Sequence, residues 1–419
     1  MIQGLPRVTV FLEQVIMCLP DWVQSLLPFP VVTWTQFVNY LHLVVNPLAG
    51  EEHLKEVIQQ LQLMGEVVYL KCEDTDLIVL QPRWLCGSLC GQLLSPEYKQ
   101  SVSAGSYTRD QFQVANPQYD VKDVLLVLSA LGVCTEMRDD DDMEYEFPCY
   151  NKLSVQENVW VEDTERFGEY GGVILGSTSG LVSVMWPRIQ VMLRRSVARK
   201  QYHDTRLTQW TTGSKLQSSP LEALVEKRDN QIIVKVRGPD AAKRACFYFL
   251  EEILGIIDQV LLEMSPGLPV DKMILSSSDL KHHVKEPKQW TPKDVMTALM
   301  KDGWEAKLTG HNNKQESLAE LLCFGCDQVA SSLVAGPRVH VSSMSTVTRQ
   351  SLCTLLDPAH AMGRDWCMLA VQMGLSDKVP KLDVGSGNYS QTARLLDEWA
   401  HQESSTIGKW RQLCRNKIE

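Results

Sequence analysis

Gly363-Arg364-Asp365-Trp366-Cys367-Met368-Leu369-Ala370-Val371-Gln372-Met373-Gly374 is the stretch on which the fold turns. Trp366, Leu369, Ala370 and Met373 recur at helical spacing, so the stretch predicts a helix with one apolar side. Asp365 stands at its start, where a carboxylate can accept from unpaired backbone N–H groups and suits the positive helix end. Gly374 suits its close. Upstream, Ser351 to Leu356 carries Leu352, Leu355 and Leu356 on a helical face, and Asp357-Pro358 ends it. Downstream, a short helix is expected around Lys378–Leu382, then a Gly385-Ser386-Gly387 loop. Leu395, Leu396 and Trp399 mark another helix, and Ile407, Trp410 and Leu413 the next. Short helices on short loops predict an antiparallel bundle over residues 346–419. Leu355, Trp366, Leu369, Leu395 and Trp399 are its expected core.

The rest of the chain has a different texture. Residues 51–64 predict an amphipathic helix through Leu54, Val57, Ile58 and Leu61, with Gly65 as its C-cap. Two short β-type runs come next, Val67–Leu70 and Leu77–Leu80, around the acidic turn Glu73-Asp74-Thr75-Asp76. Pro82 then opens a helical piece with Trp84, Leu85 and Leu89. The pattern returns: Val124, Leu125, Leu128 and Leu131 mark a helix, Gly132 ends it, and Val133-Cys134 and Tyr145-Glu146-Phe147 flank the acidic turn Asp139–Asp142. Leu61-Gln62-Leu63-Met64-Gly65 aligns with Leu128-Ser129-Ala130-Leu131-Gly132. Helix plus hairpin, twice, suggests two winged-helix-like units.

From about Trp160 to Arg237 the chain is β-rich. Val173–Leu175, Leu181–Val184 and the alternating Ile232, Val234 and Val236 are strand candidates, and Asp229-Asn230 is a hairpin turn. Pro187 to Val197 looks helical. A long helix after Gly238-Pro239-Asp240 carries one apolar stripe from Cys246 to Leu261, and Ser265-Pro266-Gly267 stops it. Four prolines, at 266, 269, 287 and 292, break the chain beyond that helix into short pieces, with Leu318–Phe324 a helix candidate. The expected fold class is α+β. The expected domains are residues 1–153 (helical, winged-helix-like), 154–265 (α+β), 266–345 (a connecting helical segment) and 346–419 (the all-α bundle).

At 419 residues the chain exceeds one ordinary core of roughly 100–200 residues. A net charge of −10 and the acidic hairpin turns argue against nucleic-acid binding, which needs clustered Lys and Arg. Arg194, Arg195, Arg199 and Lys200 look like a solvated helix face. Twelve cysteines are scattered, mostly among apolar residues, as buried free thiols are, and a reducing, cytoplasmic setting is expected. The apolar Val8–Leu19 stretch is interrupted by Glu13 and Gln14 and lacks a cleavage site, so no signal peptide is expected. No run of about 18 apolar residues predicts membrane insertion.

Motifs for chemistry are missing. The Gly-Lys pair at Gly408-Lys409 is followed by Trp410, unlike a P-loop, and no His-Arg-Asp or Asp-Phe-Gly of a protein kinase occurs. Gly385-Ser386-Gly387 reads as a loop, since Ser390 stands where a dinucleotide fingerprint needs its third glycine. Gly176-Ser177-Thr178-Ser179-Gly180 reads as a turn, with Thr178 where a nucleophile elbow needs serine. Cys323-Phe324-Gly325-Cys326 needs a second ligand pair for zinc, for which His282-His283, His311, His340 and Cys353 are available but nothing fixes their geometry, so burial is the expectation; Asp139–Asp142 lacks the alternating ligands and glycine of a calcium loop. The expectation is a chain with no catalytic site, no cofactor and no metal.

Leu355-Leu356, Gly363, Asp365-Trp366, Leu369-Ala370, Gly374-Leu375, Leu395-Leu396, Trp399 and Thr406-Ile407-Gly408 together resemble a death domain, from about Thr346 to Glu419. Its last helix is expected short or missing. Leu77-Ile78-Val79-Leu80-Gln81-Pro82-Arg83-Trp84-Leu85 resembles the hairpin exit of the COR region of Roco proteins. Trp186-Pro187-Arg188-Ile189-Gln190-Val191 and Val236-Arg237-Gly238 fit that region's second half. COR followed by a death domain resembles the C-terminal part of the death-associated protein kinases. In that family a kinase domain, a calmodulin-binding segment, ankyrin repeats and a Roc GTPase-like domain lie upstream. None is visible here, so no enzyme activity is expected of this chain.

The resemblance implies a scaffold in apoptosis or stress signalling that binds other proteins through the death domain and self-associates through the COR-like region. A second reading is a C-terminal regulatory fragment of a serine/threonine kinase, and a third is a nucleic-acid binder using the winged-helix-like units. Arg364, Lys378, Lys381 and Glu398 are the candidate recognition residues, because charge complementarity selects partners.

Overall fold

A computed structural model describes residues 5–410, apart from 73–74, 103–104, 119, 140–141, 155–158, 162, 164–165, 200–204, 266, 324–330, 332, 335–339, 359–364, 384–389, 403–404 and 408. Glu73 and Asp74, the 140–141 turn, Cys326, the Gly385–Gly387 loop, Gly408, Leu413 and Arg364 therefore lie outside the described residues. The chain divides into two compact units, Met1–Lys152 and Leu153–Glu419.

The first unit is built from a repeated β-α-α-β-β arrangement. In the first copy β1 (Val31–Thr33) leads into α2 (Trp34–Val44), then α3 (Glu51–Met64), β2 (Val68–Leu70) and β3 (Leu77–Val79). α1 (Leu5–Leu26) precedes it. In the second copy β4 (Ser106–Thr108) leads into α4 (Arg109–Ala115), α5 (Val121–Ala130), β5 (Thr135–Asp139) and β6 (Asp142–Glu146). The strand orders correspond, β1-β3-β2 and β4-β6-β5. The local causes correspond too. Thr33 and Thr108 each accept from the backbone N–H three residues on, and Gln36 and Gln111 each accept from the cap N–H. Such a reciprocal cap stabilises a helix start by roughly 1 kcal/mol. Gly65 (φ 77°) and Gly132 (φ 68°) end the second helices in the left-handed conformation that glycine adopts without strain.

Phe37 and Phe112 follow the two capping glutamines, and both are fully buried. Phe37 packs beside Trp22 of α1, whose indole stacks on Tyr40 at 3.7 Å. Phe112 stacks on Phe147 at 5.3 Å. The repeat is thus longer than the aligned helix ends suggest, because each unit opens on a three-residue strand and a Thr-x-x-Gln-Phe cap.

The second unit is organised by one antiparallel sheet. Its strands are β7 (Glu169–Gly176), β8 (Thr205–Trp210), β9 (Gly213–Ser218), β10 (Leu221–Arg228), β11 (Gln231–Gly238), β12 (Asp271–Leu275) and β13 (Gln289–Trp290), in the order β13-β12-β7-β11-β10-β9-β8. Asp229-Asn230 makes the tight turn between β10 and β11, where Arg228 faces Gln231. Along β11, Ile232, Val234 and Val236 point to one face, as two-residue periodicity requires. α6 (Trp186–Arg199) and α7 (Lys243–Met264) cover that face with Ile189, Leu193, Leu250, Ile253 and Ile257. Phe167, Tyr170, Ile174, Ile233, Leu275 and Leu280 pack on the other.

Four expectations are corrected. Leu181–Val184 is a short helix, not a strand; Val182 and Met185 turn into the α6–α7 core, a helical and not an alternating spacing. The boundary at 265/266 falls inside the sheet, since β12 pairs with β7 across the prolines. The connecting segment is correspondingly not simply helical: beside α8 (Pro292–Asp302) it holds β12, β13 and a further small hairpin. The described part of the Leu318–Phe324 stretch holds a 3₁₀ turn at Leu318–Glu320 and no α-helix.

Candidate protein-interaction surface

The C-terminal bundle comprises α9 (Thr346–Leu356), α10 (Trp366–Gln372), α11 (Val379–Asp383) and α12 (Gln391–Ala400). Its helix starts are written locally. Asp365 Oδ1 accepts from the Met368 N–H at 3.1 Å, and Ser390 Oγ accepts from Ala393 at 3.0 Å. Asp357, just past α9, accepts from the Thr392 N–H of α12 at 2.9 Å and so ties two helices together. His340 and Thr406 form an isolated antiparallel bridge, and the Val341 N–H donates to Ser405 at 2.8 Å, which brings the two ends of the bundle side by side.

Trp366, Leu369, Ala370, Met373, Leu395, Leu396, Trp399, Ile407 and Trp410 form one buried cluster. Trp399 is fully buried, with its ring centroid 6.3 Å from that of Trp410. Leu355, expected in this core, is 59% exposed. Leu352 and Leu356, four residues apart, share the inward row of α9, and Leu355 sits about 100° away from Leu356 on the helical wheel.

The charged candidates separate in the same way. Lys378, in the 3₁₀ turn just before α11, and Glu398 of α12 form an ion pair with each other, at 40% and 39% exposure. The hydrogen bond from Lys378 holds the Glu398 carboxyl below its ordinary range, and Glu398 reciprocally raises Lys378. Lys381 is exposed on α11, and its charge also acts on Glu398. These three residues therefore make one surface patch between α11 and α12. Two further residues went unnoticed at the level of sequence: Arg349 of α9 forms an ion pair with Asp397, next to Glu398. They are 48 residues apart, and nothing local marks them as partners.

A second charged group lies in the sheet. Arg237 points two nitrogens at Glu222 Oε2, at 3.1 and 2.7 Å, and a third donates to Val161 O at 2.6 Å. Its guanidinium lies between Trp160 and Phe167, 4.0 and 4.2 Å from their ring centroids. Gln217, Lys215 and, at 4.0 Å, Arg166 also face Glu222. Both ends of this pair are buried, so it presents nothing to a partner.

Among the described residues, no group of three or more His, Cys, Asp or Glu is arranged to hold a metal ion. Cys323 is buried, and burial pushes its thiol up to about 12, which leaves it protonated. No described helix is long and apolar enough to cross a membrane.

The bundle matches the family model of the death domain over residues 349–416. Helices positioned by local caps, a shared tryptophan-lined core and a charged outer face thus belong to a death domain, a module of protein-interaction signalling. Over 405 residues the chain is 34% identical to Death-associated protein kinase dapk-1 of Caenorhabditis elegans. The match covers 93% of this chain and 28% of that protein. The chain is therefore related to a death-associated protein kinase along nearly its whole length, while spanning little more than a quarter of that relative.

Proposed function

We propose that this chain is a non-catalytic signalling scaffold that binds other proteins through its death domain. The observation that carries this reading is the exposed Lys378–Glu398–Lys381 patch on a bundle whose apolar residues are otherwise largely committed to packing. Exposed charges of both signs select partners by complementarity more than they add raw affinity. The β-α-α-β-β repeats fit winged-helix-like units, and with the sheet unit they support a COR-like platform of the Roco type that self-associates. A cytoplasmic role in apoptosis or stress signalling accords with the relationship to a death-associated kinase.

The test is self-association of the whole chain, followed by light scattering across a concentration series. Charge reversal of Lys378 and Lys381 to Glu should weaken the association and flatten or invert its dependence on salt, since salt screens an attraction in the parent and a repulsion in the variant. An association indifferent to both reversals would sink the charged-surface reading.

A second reading is favoured by the extent of the relative: the chain would be the regulatory C-terminal part of a serine/threonine kinase. Adding the chain to the kinase region of dapk-1 and measuring phosphate transfer to a peptide tests it. An unchanged rate at saturating chain removes that reading.

A further inference from the structure

Between the two β-α-α-β-β repeats the chain forms a helix over residues 82–93. Its middle, Trp84–Cys90, is π-helical, and Gly91–Leu93 returns to the α form. Trp84, Leu85, Leu89 and Leu93 give it one buried side, packed in a core with Phe112, Val124 and Leu128 of the second repeat. Cys86, Gly87 and Ser88 lie outside, and Cys90 stands half-buried at the border. Among the described cysteines Cys86 alone is exposed. Packing accounts for a buried thiol such as Cys134 or Cys246, but not for this one.

Cys86 and Cys90 are four residues apart, so they share one side of the helix. In an α-helix such a pair stands about 5–6 Å apart at Cβ, beyond the roughly 3.5–4.5 Å that a disulfide spans. The π-turn narrows that gap. Its hydrogen bonds join residues five apart, so each turn holds more residues at nearly the same height, and the fourth neighbour comes closer. Gly91 permits this winding: a Cβ there would meet the Cys86 carbonyl oxygen at 3.0 Å. The two thiols also act on each other. Burial first, and then the charge of Cys86, push the Cys90 thiol up to about 11. Arg83, exposed and three residues before Cys86, puts a cation on the same side.

We propose that Cys86 and Cys90 form a reactive thiol pair that hydrogen peroxide converts reversibly to a disulfide. The exposed Cys86 sulfur attacks one peroxide oxygen. An S–O bond forms, the O–O bond breaks, and the departing hydroxide takes the thiol proton as water. Cys86 is then a neutral sulfenic acid, and its charge no longer opposes ionisation of Cys90. The Cys90 sulfur attacks the sulfenic sulfur: the S–S bond forms, the S–O bond breaks, and hydroxide leaves with the Cys90 proton as a second water. The two thiols lose two electrons and the peroxide gains them. Two molecules of a small thiol reverse the step, giving up two hydrogens and joining as a disulfide. An accessible thiol beside a resolving one is the arrangement of a redox sensor. The pair uses none of the charged residues of the bundle, so it stands or falls separately from the partner-binding reading.

The whole chain, fully reduced, carries the test. It is treated with hydrogen peroxide, and the peptide holding both cysteines is followed by mass spectrometry. A loss of two hydrogens that dithiothreitol restores is expected. Cys90→Ser should stop at the sulfenic acid, which dimedone traps on Cys86. The same oxidation in urea tests the geometry. Closure should be roughly tenfold faster in the folded chain, because the turn holds the two thiols together. Gly91→Ala, which opposes the π-turn, should slow closure several-fold and leave dimedone labelling of Cys86 in the Cys90→Ser background unchanged.

Closure that is slower in the folded chain than in urea overturns the proposal, since a rigid α-helical turn would hold the thiols apart. A disulfide from Cys86 to another cysteine, or a sulfenic acid that persists on Cys86 with Cys90 present, overturns it too. Closure indifferent to Gly91→Ala removes the π-turn from it. Should Gly91→Ala fail to fold, the folded and urea-unfolded parent decide by the same comparison of rates.

Discussion

Arg237–Glu222 in the sheet and Lys378–Glu398 in the bundle are the same chemistry in opposite surroundings. The first pair is 4% and 3% exposed, the second 40% and 39%. Burial removes water from both charges of the sheet pair, a cost that is offset only when every donor and acceptor finds a partner. The sheet meets that condition with the Arg237 fork, Gln217, Lys215 and the Val161 carbonyl. The bundle pair keeps its water and so adds little to stability, but it stays reachable. A saturated pair fixes the fold; an unsaturated one is free to meet a partner.

The contrast can be broken most forcefully at the buried end. Arg237→Ala should destabilise the sheet unit by about 3 kcal/mol, because it strips the buried Glu222 of the guanidinium that donates two hydrogen bonds to it and leaves only Lys215, Arg166 and Gln217 against its charge. Urea denaturation followed by circular dichroism measures this. Replacing both partners by apolar residues of similar size should cost much less, and an equal loss would show that the pair itself, not the stripped charge, carries the stability. In the bundle the comparable loss should come from packing: Trp399→Ala should cost about 3–5 kcal/mol, since the indole is fully buried.

Acid sharpens the comparison. Burial alone would raise Glu222, but hydrogen bonds from Arg237 and Gln217 and the charges of Arg237 and Lys215 outweigh it and hold the carboxyl low. A carboxyl lowered in the folded state contributes stability that is complete above its unfolded value. That contribution fades as pH falls through the folded value. The unfolding midpoint should therefore drop as pH is lowered past about 4, the ordinary glutamate range, and the drop should be shallower in Arg237→Ala. Equal slopes in the two proteins would remove Glu222 from the acid response.

The smallest effects belong to the exposed residues. Lys378→Ala should leave the unfolding midpoint nearly unchanged, and high salt should erase any difference that remains. Leu355→Ser should lie within about 0.5 kcal/mol of the parent, because the side chain already faces water. A loss above about 2 kcal/mol at Leu355 would return it to the core.

Much of this architecture is legible locally. Gly65, Asp365 and the stripe of α7 mark where helices stop, start and face, because caps and apolar periodicity act over a few residues. The alternation of β11 and its Asp229-Asn230 turn are legible for the same reason. β1 and β4 are not: each has three residues, too few for a period, and each exists only because a strand well downstream pairs with it. Leu181–Val184 misled because four apolar or small residues fit a strand and a short helix equally well. The candidate surface was half legible. Lys378, Lys381 and Glu398 read as exposed charges, but their convergence on one patch did not.

The sequence by itself determined the caps, the apolar stripes, the repeated helix-plus-hairpin units and the death-domain pattern around Asp365 and Trp366. Tertiary structure alone decided that Leu352 and Leu356 face inward while Leu355 does not. It alone joined Arg237 to Glu222, Arg349 to Asp397 and Lys378 to Glu398. The reason is reach: a cap or a stripe is closed within a turn or two of chain, whereas these contacts join residues far apart in sequence and exist only where the folded backbone returns on itself.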